Sequence, residues 1–412
     1  MIFAGSMGNI LGVKQNIKPN YNSRALECYD LKILHLSDMH LPDWRIEKSA
    51  STDLNLGHEV VFAGMESNYA GDVFSRILHV HWTPRARRGI PFYWHSVKKQ
   101  LERVLKETRP DVVHAHNIFS AKMVSEFEIP FVYDDHEFWP IYVKRQSETS
   151  RQNQLSAQTF SRAWPRAIVR KFVRDFLASR AIKLWTNWEK EIVSSHPTIT
   201  VSEQIAEQLR TIYHAKKVLV VPNFPMYSEV KDFEKPHFID SLTSVYAGVE
   251  ARGDITPAHR KIDGFISTFL EKDIGNLVII GWNDKSTSNK VKYSGFLSRQ
   301  DMFREMFNHS IGLIPFKRHW SHIYISPNKA YEYAHAGLAV LTSSGFEPVK
   351  QILKEHCITF EDYEDMATKL MYFKENLDEL YKRRLQIFNY ARENLIWEKN
   401  EKFISEAYRS CT

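Results

Sequence analysis

The chain has 412 residues, more than one hydrophobic core ordinarily serves, so two domains of about 200 residues each are expected. Hydrophobic residues make up 43% and charged residues 25%, an ordinary globular balance, and the absence of a long uncharged apolar run argues against a transmembrane helix. The net charge of +6 is uneven: residues 141 to 190 carry eleven Lys or Arg against three acids, which leaves the remainder slightly acidic.

Residues 1 to 30 lack a basic segment followed by an apolar one of signal-peptide length and read as an irregular tail. Cys28, Cys357 and Cys411 have neither metal-ligand spacing nor the number for a disulfide framework, which fits a reducing cytoplasm. From Leu31 the chain alternates. Strands are predicted at Leu31 to Leu36, Glu59 to Ala63, Asp111 to Ala115, Pro130 to Asp134, Thr198 to Val201 and Val218 to Val221. Helices fall between them, one carrying Ile46, Ala50, Leu54 and Leu56, one from Tyr93 to Lys106 and one starting at Ser202. Repeated strand, helix, strand is the pattern of a parallel sheet.

These units define a first domain over 31–226, and the polar stretch 227–240, with charges, Pro236 and no sustained period, reads as a linker. A second domain over 241–385 repeats the pattern, with strands at Ser244 to Ala247, Leu277 to Ile280, Lys292 to Ser294, Ile311 to Pro315 and Ala339 to Thr342. A last helical stretch from Asp378 to about Arg409 is long enough for 386–412 to return and brace the first domain.

Within the second half, Ser326-Pro327-Asn328-Lys329-Ala330-Tyr331-Glu332-Tyr333-Ala334-His335-Ala336-Gly337 reads as a loop that opens a helix and ends on glycine before a buried strand. Unpaired N–H groups at such a helix start, with Lys329 beside them, favour an anion such as a diphosphate. Glu332, one turn on, can accept hydrogen bonds from a pair of sugar hydroxyls. Phosphates and a ribose suggest a nucleotide, while the plain alternative is a surface pair of Lys329 and Glu332. The segment resembles the Pro-Asn-Lys-x-x-Glu-Tyr signature of the family 4 nucleotide-sugar glycosyltransferases, in the subgroup with Ser-Pro-Asn-Lys. The resemblance implies a retaining enzyme of the GT-B fold, α/β, with two Rossmann-like doubly wound parallel-sheet domains facing a cleft.

Further motifs extend it. Asp111-Val112-Val113-His114-Ala115-His116-Asn117 resembles the family's Asp-Val-x-His-x-His-Asp, and the end of a parallel strand is where a side chain such as His116 can reach the cleft and handle a proton near neutrality. Val132-Tyr133-Asp134-Asp135-His136-Glu137 resembles the family's Asp-x-His-Glu, which implies an acceptor side at Asp135, His136 and Glu137. Asp134 and Asp135 are adjacent on an extended chain and point oppositely, so no metal is expected there. In the second half, Tyr246-Ala247-Gly248 opens the loop where the family's Arg and Lys face the diphosphate. Arg252 and Lys261 are the candidates, and Arg260 stays open as a third, because the spacing departs from the family pattern. Phe296 and Leu297 after Gly295 resemble the loop that reads the base. Many members place an acid eight residues before Glu332, where this chain has Tyr324, a hydroxyl with no carboxylate.

The donor side implied by the resemblance is Gly248, Phe296, Leu297, Tyr324, Ser326, Asn328, Lys329 and Glu332, with His116, Arg252 and Lys261 as catalytic candidates. The expected ligands are a UDP- or GDP-sugar, with no other cofactor, and a glycan or lipid-linked acceptor. Across 161–185, Ile168, Val169, Phe172, Val173, Phe176 and Leu177 recur at helical spacing beside Arg166, Arg170 and Arg174. Such a basic amphipathic helix can lie on an anionic membrane surface at the inner face of the cell membrane, or pack on the sheet with its charges solvated. Nucleic acid is not expected, since no recognition motif accompanies the charge. Two rivals remain, a GT-B nucleotide-sugar epimerase and a non-catalytic binding protein, the latter kept open by Tyr324.

Overall fold

Buried apolar strands alternating with helices close into two parallel sheets in a computed structural model that describes residues 31–145, 148, 164–249, 256–284 and 288–411. The tail over 1–30, Arg252, and in the basic stretch residues 161–163 with the side chains of 164–175, 177 and 178 lie outside the described residues. The first sheet comprises β1 (Lys32–Ser37), β2 (Glu59–Gly64), β3 (Arg76–His79), β4 (Val112–His116), β5 (Phe131–Asp135), β6 (Pro197–Thr200) and β7 (Lys217–Val220), in the order β3-β2-β1-β4-β5-β6-β7. The second comprises β8 (Thr243–Ala247), β9 (Asn276–Ile280), β10 (Val291–Gly295), β11 (Ile311–Ile314), β12 (Ala339–Ser343) and β13 (Cys357–Phe360), in the order β10-β9-β8-β11-β12-β13. Both orders reverse at the first strand, the doubly wound arrangement whose crevice lies beyond the strand C-termini.

Strand alternation decides which face each residue meets. Leu34, Leu36, Val113, Ala115, Phe131 and Tyr133 join one core, whereas Ile33, Val112, Val132 and Ile199 face the other side and pack on Trp397, Ile404 and Tyr408. The helix Trp44–Asn55, capped by the Asp43 side chain on the amides of Arg45 and Ile46, lies against β1 and β2.

The stretch from Asp378 is not one helix. The helix Leu377–Asn394 stays on the second domain, where Ile387 and Ala391 join the core of β8 and β12. The chain then breaks at Leu395 and Ile396, and the Trp397 amide donates to the Pro225 carbonyl at 2.9 Å. The helix Glu401–Arg409 packs against β5, β6 and β7. The crossing therefore falls near 395, because the buried Leu395 and Ile396 are anchored beside the second core. β3 and β13, which carry no predicted strand, are four-residue edge strands with mostly half-exposed residues, a weak periodic signal.

Candidate functional site

Between the sheets lies a cleft of about 900 Å³ with walls from both domains. On the second domain the helix Lys329–His335 carries two groups to it, Lys329 and Glu332. The helix has only seven residues and Asn328 makes no side-chain cap, so charged side chains rather than a long dipole define this wall. The Lys329 ammonium lies 4.3 Å from the Tyr246 ring centre and 5.2 Å from that of Phe316. Desolvation there holds its pKa down at about 7. It has no hydrogen-bond or ion-pair partner among the described residues.

Gly248 makes room for that amine, since a Cβ there would stand 2.7 Å from Lys329 Nζ. Gly281, at φ +95, packs its backbone against the Gly248 carbonyl, where a side chain would collide at 2.6 Å. Glu332 accepts from Arg299 Nη1 at 2.7 Å; Arg299 also pairs with Glu229 and stacks its guanidinium 5.0 Å from the Trp44 ring of the first domain. Ser326 Oγ meets the Tyr331 hydroxyl at 2.5 Å, and Tyr324 reaches across to Phe138 with ring centres 5.8 Å apart.

The first-domain wall presents Asp43, Trp44, Arg45, His136 and Glu137, with Arg145 paired to Glu137. Behind it is a buried polar centre set by register. His35 on β1 pairs with His114 on β4, and His116 with Asp134 on β5, all on the same face. Arg45 donates from Nη2 to Asp134 Oδ1 at 2.7 Å, from Nε to both carboxylate oxygens at 3.0 Å, and from Nη1 to the Val221 carbonyl at 2.9 Å. Burial opposes the Asp134 charge, but Arg45 and His136 overcome it and hold the carboxyl well below its ordinary range. For His136 burial works downward and Asp134 upward, and the net is a raised pKa. His116 and His35 are both lowered, chiefly by burial. Tyr408, from the returning helix, closes this centre with its hydroxyl donating to Asp53 Oδ2 at 2.7 Å and lying 2.8 Å from His114 Nδ1.

The cleft brings together Gly248, Phe296, Leu297, Tyr324, Ser326, Asn328, Lys329 and Glu332 of the expected donor side, and His136 and Glu137 of the acceptor side. Three expectations need correction. His116 is fully buried and outside the cleft, because its face of β4 is covered by the helix Trp44–Asn55 and Tyr408; it reaches the lining only through His136, 3.2 Å from its Nδ1. Asp135 also turns inward, accepting from the Tyr133 hydroxyl at 3.2 Å, and burial raises its carboxyl to about 7. Lys261 ends the turn Ala258–Arg260 in extended backbone and does not line the cleft, whereas its neighbour Arg260 does. Arg299, Trp44 and Arg145 line it without having been expected. Ser298, which caps the helix Arg299–Phe307 through the Asp301 amide, was the one local hint of where Arg299 would point.

Two doubly wound domains facing one cleft are the GT-B architecture, and the likenesses to solved structures agree. Sucrose-phosphate synthase from Thermosynechococcus elongatus superposes with a TM-score of 0.66 at 11% identity, over 92% of this chain and 98% of that one. Anabaena HepE in complex with UDP and glucose gives 0.60 at 11% identity, over 92% and 100%. The N-terminal domain of Candida albicans trehalose-6-phosphate phosphatase gives 0.58 at 10%, over 95% and 99%. At such identities the likeness is one of fold. Residues 54–224 match the model of Glycosyltransferase Family 4. No curated protein matches by sequence.

Proposed function

We propose that the protein is a retaining glycosyltransferase that moves a sugar from a UDP- or GDP-sugar to a glycan or a lipid-linked acceptor in cell-surface glycan or glycolipid synthesis. The observation that carries this reading is the pairing, on one short helix, of the Lys329 amine, which has no hydrogen-bond or ion-pair partner among the described residues, with the Arg299-held carboxylate of Glu332, both facing a cleft of about 900 Å³. That volume suits a nucleotide sugar. Agreement with the family model over 54–224 and the UDP held by Anabaena HepE support the donor class.

In this reading Glu332 accepts the ribose hydroxyls, Arg299 fixes its carboxylate, and Phe296 and Leu297 border the base. Lys329 and Arg260 meet the diphosphate, joined by Arg252. The bond between the anomeric carbon and the phosphate oxygen breaks as the acceptor oxygen attacks the same face. The acceptor proton passes to the leaving phosphate, whose growing charge the cations stabilise without a metal. His136 and Glu137 hold the acceptor, with His116 and Asp135 behind them as positioning groups, and Tyr324 replaces an acidic grip on the donor sugar.

A lipid-linked acceptor would be met at the inner face of the cell membrane by the helix Trp164–Ser195, where Phe176 is 60% exposed and Arg180 is also exposed. No helix among the described residues is long and apolar enough to cross a membrane. The test is thermal unfolding of wild type and Glu332→Ala with UDP, GDP, ADP and CMP. A ligand at about 100 times its Kd adds about 2.7 kcal/mol, so one nucleotide is expected to raise Tm in the wild type and fail in the variant. No shift with any of them would turn the reading to a non-catalytic protein.

A further inference from the structure

The register that buries His116 also brings three donor atoms to one point. His116 Nδ1 and His136 Nε2 are 3.2 Å apart, and Asp134 Oδ2 is 3.4 Å from each. Nitrogen and oxygen ligands bound at about 2.0–2.1 Å around a tetrahedral ion stand roughly 3.3–3.4 Å from one another. The triangle already has that edge. An imidazole lone pair lies in the plane of its ring, so rings stacked in separate parallel planes cannot share an ion, and His116 and His136 are not stacked but inclined at 66°.

Hydrogen bonds behind the triangle decide which nitrogens are free to ligate. A carboxylate only accepts, so His35 Nε2, 2.8 Å from Asp53 Oδ2, carries its proton there. His35 Nδ1 is then the acceptor for His116 Nε2–H at 3.0 Å, which leaves the lone pair of His116 on Nδ1, facing Asp134 and His136. This is the outer support a ligating histidine commonly has, and Arg45 gives the same support to the Asp134 carboxylate. His35 has both nitrogens committed in this way. His114 Nε2, 3.4 Å from Asp134 Oδ2, belongs to a ring anchored by Tyr408 on its other side.

We propose that His116, Asp134 and His136 form a binding site for one divalent transition-metal ion, best matched by Zn2+, with the fourth position open on the cleft side of His136. Two imidazoles and one carboxylate exclude Mg2+ and Ca2+ as preferred occupants, since those ions take oxygen donors. The entry path is through His136, whose side chain is 15% exposed while those of His116 and Asp134 are fully buried. Arg45 places a positive charge on the far side of Asp134, so binding is expected in the micromolar range rather than at the strength of a thiolate site. The inference does not depend on glycosyl transfer.

The experiment takes the full-length protein, stripped with a chelator, and titrates it with Zn2+ by calorimetry and with Co2+ by visible absorption. One equivalent of Zn2+ with a Kd of about 10 μM or below, and the intense visible bands of a low-coordinate cobalt site, are expected. Both are lost in His136→Ala and kept in His319→Ala, which removes an imidazole of the second domain that does not line the cleft. If the alanine variant does not fold, His136→Gln keeps the volume and should retain the wild-type circular dichroism while losing the cobalt bands. No stoichiometric uptake by the wild type overturns the proposal, as does binding that survives at His136 and disappears at His319.

Discussion

On the first-domain side of the cleft Arg45, Asp134 and four histidines are bonded to one another, whereas on the second-domain side Lys329 and Arg260 face the cleft with no carboxylate in ion-pair reach among the described residues. The contrast separates two uses of a cation. Arg45 is neutralised inside the protein and holds β5 to the helix Trp44–Asn55. Lys329 is desolvated without being neutralised, so an arriving anion supplies what the fold leaves out. Arg299 falls between the two, since it is spent on Glu229 and Glu332 yet fixes the direction of a group that faces the ligand.

The largest expected effect lies on the first side. Asp134→Ala leaves Arg45 buried against no counter-charge, and stability measured by denaturant midpoint in metal-free buffer should fall by about 3–5 kcal/mol. A loss under about 1 kcal/mol would mean that the centre is not the structural element this comparison makes it. Next, Lys329→Met should cut turnover of the nucleotide sugar about 10²–10³-fold, with Tm unchanged or higher because an unfavourably placed amine is gone. If Tm drops instead, Lys329 belongs with Arg45 and the contrast fails.

The smallest effect is one of pH. The Lys329 amine sits at about 7 when folded, against an unfolded value of about 10.4, so between these limits the unfolded chain holds the extra proton and the empty protein gains stability as pH rises. A bound diphosphate favours the charged amine, so nucleotide binding takes up a proton and weakens above pH 7. Calorimetry between pH 7 and 9 should show UDP affinity falling by at most about tenfold per unit. In Lys329→Met the profile should be flat; an equally steep profile there would assign the proton to another group.

Much of the fold was legible because buried parallel strands are near-continuous apolar runs, and the helix starts at Asp43 and Ser202 are marked by side chains that cap them. The polar centre was not. Spacing shows that His114 and His116 share a face of β4 but not that Asp53, Arg45 and Tyr408 will cover it, since those come from helices whose docking depends on the whole sheet. The same limit explains Lys261 and Arg260, neighbours in sequence whose directions depend on one short turn. Asp134 and Asp135 do diverge as strand geometry requires, but the partners Asp134 meets sit on the helix Trp44–Asn55, on β4 and in the loop after β5.

The hydrogen bond from Tyr408 to Asp53 joins residues 355 apart in the chain. During synthesis, therefore, the first domain emerges with its Asp53 and His114 polar centre uncovered and stays so while the whole second domain is made. Its apolar strip at Ile33, Val112, Val132 and Ile199 waits equally long for Trp397, Ile404 and Tyr408. The first domain is thus completed last on the ribosome, and a nascent chain stalled before residue 397 carries an open sheet face for chaperones to cover or for other chains to find.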